Sequence, residues 1–261
     1  LDEELLGHVS YYAFRNRYAV MMDRNFGGRR VQIVGSYQRL DELEEILKEF
    51  SYRVQKKDCL DLPKKIFMSR TVELTKEQEE AYATMKSAAL ASLKGKMATA
   101  PHVLTQLMRL HQITCGHLKS DDGVITNFKH SRIEELIDVI DEMEGKVIIW
   151  ANYVHDIKEI TKALEKEYDE GCVAQYYGEV STDDRQKAIK DFQDPKSKVR
   201  YFVGNTQTGG YGITLTAASN VIYYSNSYDL EKRLQSEDRA HRIGQHKPVT
   251  YVDLIAEKTL D

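Results

Sequence analysis

The second half of this 261-residue chain predicts an α/β fold, a parallel sheet flanked by helices, preceded by a mostly helical region. Three observations lead there. Short apolar runs, KVIIW, CVAQYY, VRYFVG, VIYY and TYVDLIA, recur after position 145. Stretches with an apolar residue every three or four positions separate them, which is the helical period. Strands alternating with helices of this length require crossover connections, and these are right-handed between parallel strands. Ligands of such sheets bind beyond the carboxyl ends of the strands.

The elements follow in order. DELEEILKEF (41–50) places Leu43, Ile46, Leu47 and Phe50 on one helical face. TKEQEEAYATMKSAALASL opens with Thr75, followed three residues later by Gln78, the signature of a reciprocal helix cap. VLTQLMRLHQI puts Leu104, Leu107, Met108 and His111 on one stripe, and SDDG (120–123) is a turn signal. SRIEELIDVIDEM buries Ile133, Leu136, Ile137 and Ile140. KVIIW (146–150) is continuously apolar, as a strand covered on both faces must be. HDIKEITKALEKEY offers Ile157, Ile160 and Leu164 to a core, and STDDRQKAIKDF starts at a cap, Ser181, and buries Ile189 and Phe192.

Composition narrows the class. Apolar residues make up 41% and charged residues 30%, as in a soluble globular protein. No apolar run reaches membrane-spanning length and no secretion signal opens the chain, so an intracellular location, cytoplasmic or DNA-associated, is expected, with no membrane partner. Three scattered cysteines, Cys59, Cys115 and Cys172, read as reduced thiols. The net charge of −4 conceals an asymmetry: residues 1–130 hold 20 basic against 17 acidic residues, and residues 131–261 hold 17 against 24. Arg15, Arg17, Arg24, Arg29, Arg30 and Arg39 have one acid, Asp23, among them, with Tyr18, Phe26 and Tyr37 interleaved. Such a cluster suits a phosphate backbone, and it suits an ordinary solvated face equally.

Two segments carry chemistry. In QSEDRAHRIGQ (235–245), Arg239 and Arg242 lie three apart, on one face if the segment is helical. Glu237 and Asp238 offer local neutralisation; a polyphosphate is the alternative partner, because a planar guanidinium grips phosphate well. NTQTGGYGITL (205–215) follows the strand VRYFVG, and its Gly209, Gly210 and Gly212 permit close backbone approach, while Thr206 and Thr208 add hydroxyls. The two loops are expected to meet at one edge of the sheet. A phosphate-cradling G-x-x-x-x-G-K-[ST] is missing, since LKGKM (93–97) lacks the first glycine and the hydroxyl. DEEL (2–5) has the composition of an acidic magnesium box without a visible preceding strand. His111, Cys115 and His117 match no standard zinc spacing, so no metal site is assigned.

These segments resemble the Swi/Snf-type DNA translocases of helicase superfamily two. QSEDRAHRIGQHKPV is similar to the family's motif VI, VGNTQTGGYGITLTAASNVIYY to motif V, and KVIIWANYV to motif IV. SYRVQKKDCLDLPKKI followed by VELTKEQEEAY resembles the inter-lobe linker and helical insertion. The resemblance implies three regions: the end of a first lobe and the linker over residues 1–60, a helical insertion over 61–130, and a second RecA-like lobe over 131–261. It implies a first RecA-like lobe upstream of Leu1, bringing the phosphate loop and the Mg ligands. In an ATP-dependent duplex DNA translocase, Arg239 and Arg242 are then arginine fingers on ATP, with Gln235, Gly210 and Gly212 beside the nucleotide. Asn152, Thr206 and Gly209 are expected on double-stranded DNA, with Arg29 and Arg30 adding attraction. Contacts to phosphates position without reading bases, so little sequence preference is expected. Gln207 and Thr214 depart from the family's usual arginine and asparagine, which bears on coupling. A strand-separating helicase and a non-catalytic DNA- or protein-binding module are the alternatives.

Overall fold

A computed structural model describes residues 6–26, 29–52, 54, 59–94, 100–209 and 212–261. The acidic stretch at 2–5, Lys56, Lys57 and Gly210 lie outside them. The chain divides into two compact units, 1–60 and 61–261.

The first unit pairs a short helix with a hairpin. Helix α1 (Tyr11–Tyr18) starts at Ser10, whose hydroxyl accepts from Ala13 N at 3.2 Å. Strands β1 (Ala19–Phe26) and β2 (Arg29–Tyr37) pair antiparallel, with a register shift between Val20 and Met21. Helix α2 (Leu40–Lys48) returns to α1 through a forked ion pair: Arg17 Nε and Nη2 donate to Glu42 at 2.6 and 2.8 Å, and the hydroxyl of the buried Tyr18 joins them at 3.1 Å.

The second unit is built on a six-stranded sheet. Its strands are β3 (Lys65–Thr71), β6 (Lys146–Trp150), β7 (Val173–Tyr176), β8 (Tyr201–Gly204), β9 (Ala218–Tyr223) and β10 (Val249–Ile255). Their order is β3-β10-β9-β6-β8-β7, and every pairing is parallel. Side chains alternate between two cores. Val147, Ile149, Tyr201 and Val203 face one, with Leu136, Ile140, Ile157, Ile160 and Leu164 of helices α5 (Arg132–Asp141) and α6 (Val154–Glu167). Ile148, Trp150 and Phe202 face the other, with Ala188 and Phe192 of α7 (Thr182–Gln193). Both faces are covered, which is why these strands read as unbroken apolar runs. The architecture is the expected RecA-like α/β sheet flanked by helices.

The helical region holds α3 (Lys76–Lys94) and α4 (Ala100–Thr114), which meet around Tyr82, Leu110 and Ile113. The cap at α3 forms as expected: Thr75 N donates to Gln78 Oε1 at 3.1 Å, and Gln78 N donates to Thr75 Oγ1 at 3.4 Å. Ser181 likewise caps α7, accepting from Asp184 N at 3.1 Å.

Three features correct the sequence reading. The mostly helical region before 130 also carries strands that the sequence reading did not place: the β1–β2 hairpin, a small hairpin of β4 (His117–Lys119) and β5 (Ile125–Asn127), and the sheet's edge strand β3. Ile66, Phe67 and Met68 of β3 are all more than 40% exposed, so an edge strand loses the alternation that marks a half-buried one. On α4 the buried residues are Gln106, Leu110, His111, Gln112, Ile113 and Thr114, so His111 of the expected stripe is buried, whereas Leu104 and Met108 are exposed at 66% and 46%. The stripe is rotated because Gln78 Nε2 of α3 reaches Ile113 O at 2.8 Å and turns that side inward.

Candidate functional site

The arginine segment does not continue the helix before it. Helix α9 (Leu230–Glu237) starts at Asp229, which accepts from Lys232 N at 3.2 Å, and ends before both arginines. Arg239 and Arg242 stand instead on the turn leading to β10. They still converge: Arg239 Nη1 lies 3.5 Å, and Arg242 Nη1 3.2 Å, from Ile213 O. Two cations sharing one neutral acceptor repel. Burial first, and the like charge of Arg242 second, hold Arg239 below the ordinary guanidinium range, with Asp238 pulling the other way.

The local acids are largely engaged elsewhere. Glu237 meets Lys65 at 2.9 Å and Arg233 at 3.0 Å, and Asp238 meets Lys65 at 3.5 Å. Among the described residues no carboxylate pairs with Arg242. A half-buried pair of guanidiniums in this state favours an added anion.

Gln245 fixes the turn. It is 7% exposed, and its Nε2 donates to Ala218 O at 2.8 Å and to Thr216 O and Ala240 O at 3.3 Å. Its Oε1 accepts from His246 N and Lys247 N at 3.0 Å. Leu215 N also donates to Arg239 O at 2.9 Å. Gln235, by contrast, stays on α9 and donates to Glu231 at 2.9 Å.

The other predicted residues gather at the opposite end of the sheet. Asn152 follows β6, and Thr206 and Gly209 bound α8 (Thr206–Gly209), which follows β8. Asn205 joins the two loops: its Nδ2 donates to Asn152 O at 2.7 Å, and its Oδ1 accepts from Gln207 N at 2.7 Å. Asn152 N donates to Ser225 Oγ at 2.8 Å. Thr206 is 6% exposed, so its hydroxyl is buried in this conformation. Gly204 ends β8 because a Cβ there would lie 2.7 Å from Tyr176 O.

The two loops meet as expected, since Arg239 and Arg242 reach Ile213 O and Leu215 N donates to Arg239 O, but the Thr206 end of the 205–215 loop lies apart from that contact. Asn152 and Thr206 follow strands and lie at their carboxyl ends, whereas the arginine turn precedes β10 and lies at the amino ends. Thr206 lies at the carboxyl end and Ile213 and Leu215 lie beside the arginine turn, with Gly212 at φ +70° and open space beside it. Sequence reasoning missed Asn205 and Gln245. Asparagine before a helix start was a legible capping signal for the first; the second had none beyond its place after a glycine.

The basic cluster of the first unit is partly self-neutralised. Arg17 is held by Glu42, and Arg30 lies 2.9 Å from Asp23 with 78% of its side chain exposed. Arg29 pairs with Phe26 in the hairpin ladder. Buried His111 and His117 face Asp261 at 3.3 Å and Asp156 at 3.0 Å, and burial pushes the Cys115 thiol up.

Comparison with known proteins places this arrangement. Residues 5–119 match the family described as SNF2-related domain, and residues 129–244 match the helicase conserved C-terminal domain. The chain belongs to the Swi/Snf-type family of helicase superfamily two. Within it, this Swi/Snf chain is similar to the human SWI/SNF-related matrix-associated actin-dependent regulator of chromatin subfamily A member 1, at 30% identity over 87% of this chain and 23% of that protein. It is 27% identical to the ATP-dependent DNA helicase DDM1 of Arabidopsis thaliana, over 89% of this chain and 32% of that one. It also resembles the Sulfolobus solfataricus SWI2/SNF2 ATPase core in complex with dsDNA, with a TM-score of 0.61 and 26% identity, over 98% of this chain and 53% of that chain. The Swi/Snf chain thus spans about a quarter to a third of the curated relatives named here. No helix among its described residues is long and apolar enough to cross a membrane.

Proposed function

We propose that this chain is the C-terminal half of an ATP-dependent double-stranded DNA translocase, whose ATPase cleft is completed by a first RecA-like lobe of the same protein. The observation that carries this reading is the convergence of Arg239 and Arg242 on Ile213 O, half-buried, mutually repelling and, among the described residues, without a carboxylate on Arg242. This is a charge arrangement suited to a polyphosphate. ATP supplies the phosphoryl group and Mg is held by the first lobe. Arg239 and Arg242 stabilise charge that grows on the transferred phosphoryl oxygens. Gln245 keeps the arginine turn in register, Gln235 borders the nucleotide side, and Gly210 and Gly212 let backbone approach it.

Asn152, Thr206 and Gly209 hold one DNA strand through backbone amides and short polar groups at the carboxyl ends of β6 and β8. Arg29 and Arg30 add sequence-independent attraction. The segment 205–217 touches both ends of the sheet, which gives a physical route for coupling DNA grip to the nucleotide state. Relatives named as ATP-dependent helicases and a SWI2/SNF2 core in complex with dsDNA support this reading.

The test is ATP hydrolysis by the complete protein with duplex and with single-stranded DNA. Stimulation by duplex without strand displacement is expected. Strand displacement would favour a separating helicase, and absence of hydrolysis with either DNA would favour a non-catalytic binding module.

A further inference from the structure

Three consecutive residues hold the arginine turn from outside. Pro63, Lys64 and Lys65 lie near the start of the second unit, where the chain enters edge strand β3. Each grips a different part of the segment between α9 and β10. Lys65 Nζ donates to Glu237 Oε2 at 2.9 Å and to Asp238 Oδ1 at 3.5 Å, at the end of α9. His241 Nε2 meets Pro63 O at 2.7 Å, in the middle of the segment and between the two arginines. Val249 N donates to Lys64 O at 3.0 Å, where β10 begins.

The middle contact has a defined chemistry. A carbonyl oxygen only accepts, so Nε2 of His241 carries the proton of this bond. The other ring nitrogen, Nδ1, is buried and has no hydrogen-bond partner among the described residues. The imidazole is therefore aimed by Pro63 O. Proline has a fixed φ, so this carbonyl sits on a stiff stretch of backbone. The main chain of His241 is anchored at the other side: its N donates to Glu237 O at 3.1 Å, and the hydroxyl of buried Tyr251 donates to the same carbonyl at 2.9 Å. Arg242 follows His241 directly and Arg239 precedes it by two residues, so a shift of His241 moves the guanidiniums against Ile213 O. The outer contact sets the charge. Lys65 and Arg233 occupy the Glu237 carboxylate, which would otherwise neutralise the arginines.

We propose that residues 63–65 form a strap that fixes where Arg239 and Arg242 stand, with His241 as the positioning residue that transmits it. The catalytic consequence rests on the translocase reading above; the strap itself does not. His241 touches no nucleotide in this role and acts through the arginines beside it.

The test compares wild type, His241→Met and His241→Gln in the complete protein. Methionine fills similar space without a donor, and glutamine restores an N–H that reaches Pro63 O. Turnover in His241→Met should fall by about 10²-fold, the effect of a small misplacement of a catalytic group, with nucleotide affinity kept. His241→Gln should recover most of that loss, which a role in packing alone would not produce. Amide hydrogen exchange reads the strap without any chemistry. The amides of Arg239, Ala240, His241 and Gln245 are hydrogen-bonded within the turn. Their exchange should quicken about fivefold in His241→Met, the worth of one hydrogen bond, while that of Ile160 and Leu164 on α6 stays unchanged. Unchanged exchange at the turn overturns the strap, whatever hydrolysis shows. Equal turnover in His241→Met and His241→Gln overturns the positioning role and leaves the translocase reading standing. Quickened exchange in a protein whose wild type hydrolyses no ATP with either DNA supports the strap and removes the translocase reading.

Discussion

Replacing Gln245 by methionine isolates the device that holds the arginine turn. The side chains have similar volume, so packing is nearly conserved and the loss is polar. Wild-type Gln245 donates to Ala218 O at 2.8 Å, more weakly to two other carbonyls at 3.3 Å, and accepts two amide hydrogens at 3.0 Å. Each good bond contributes about 1 kcal/mol net, and a buried polar group left without a partner costs about 1–3 kcal/mol. His246 and Lys247 are exposed, so water replaces their acceptor at little cost. Ala218 and Ala240 are 1% and 0% exposed, and their carbonyls are the ones stranded. The expected destabilisation is about 3 kcal/mol. Gln245→Glu should cost at least as much, because a carboxylate oxygen then faces the carbonyls. The assay is the urea midpoint at constant slope. A loss under about 1 kcal/mol in Gln245→Met would refute the claim that this side chain organises the turn.

Arg132→Met should be more damaging, by about 4 kcal/mol in urea melts, because it leaves the buried carboxylate of Asp261 and the Tyr224 carbonyl without their guanidinium. Thr75→Ala removes one half of the α3 cap and should cost about 1 kcal/mol, read from the same melts. His155 is held below its ordinary pKa in the fold, so the unfolded chain binds its proton first as pH falls through about 6.5, and stability drops with acidification. Wild type should therefore lose more stability than His155→Gln between pH 7.5 and 5.5, and equal losses would show that this imidazole does not carry the effect.

The sheet was legible in the sequence where both faces are covered, because burial of every side chain leaves a continuous apolar run such as Val147–Trp150. Edge strand β3 was not, since Ile66, Phe67 and Met68 face solvent and KIFMSRT has no alternation to read. The α3 cap was legible because Thr75 and Gln78 act over three residues, a purely local interaction. The face of α4 was not, because its burial is set by α3, a partner distant in sequence. The arginines were legible as a pair, yet their placement was misread: α9 stops at Glu237, and the tie that brings Arg239 and Arg242 together is a carbonyl 26 and 29 residues away.

The central claim is that Arg242 acts on the phosphates of a nucleotide held by the first lobe. Steady-state hydrolysis and nucleotide binding by the complete protein test it directly, in wild type, Arg242→Ala and Arg242→Lys. Turnover in Arg242→Ala should fall about 10³-fold or more with nucleotide affinity largely kept, and lysine, which lacks the planar fork, should rescue poorly. Near-normal turnover in Arg242→Lys would contradict the account and make the Ile213 contact a structural one.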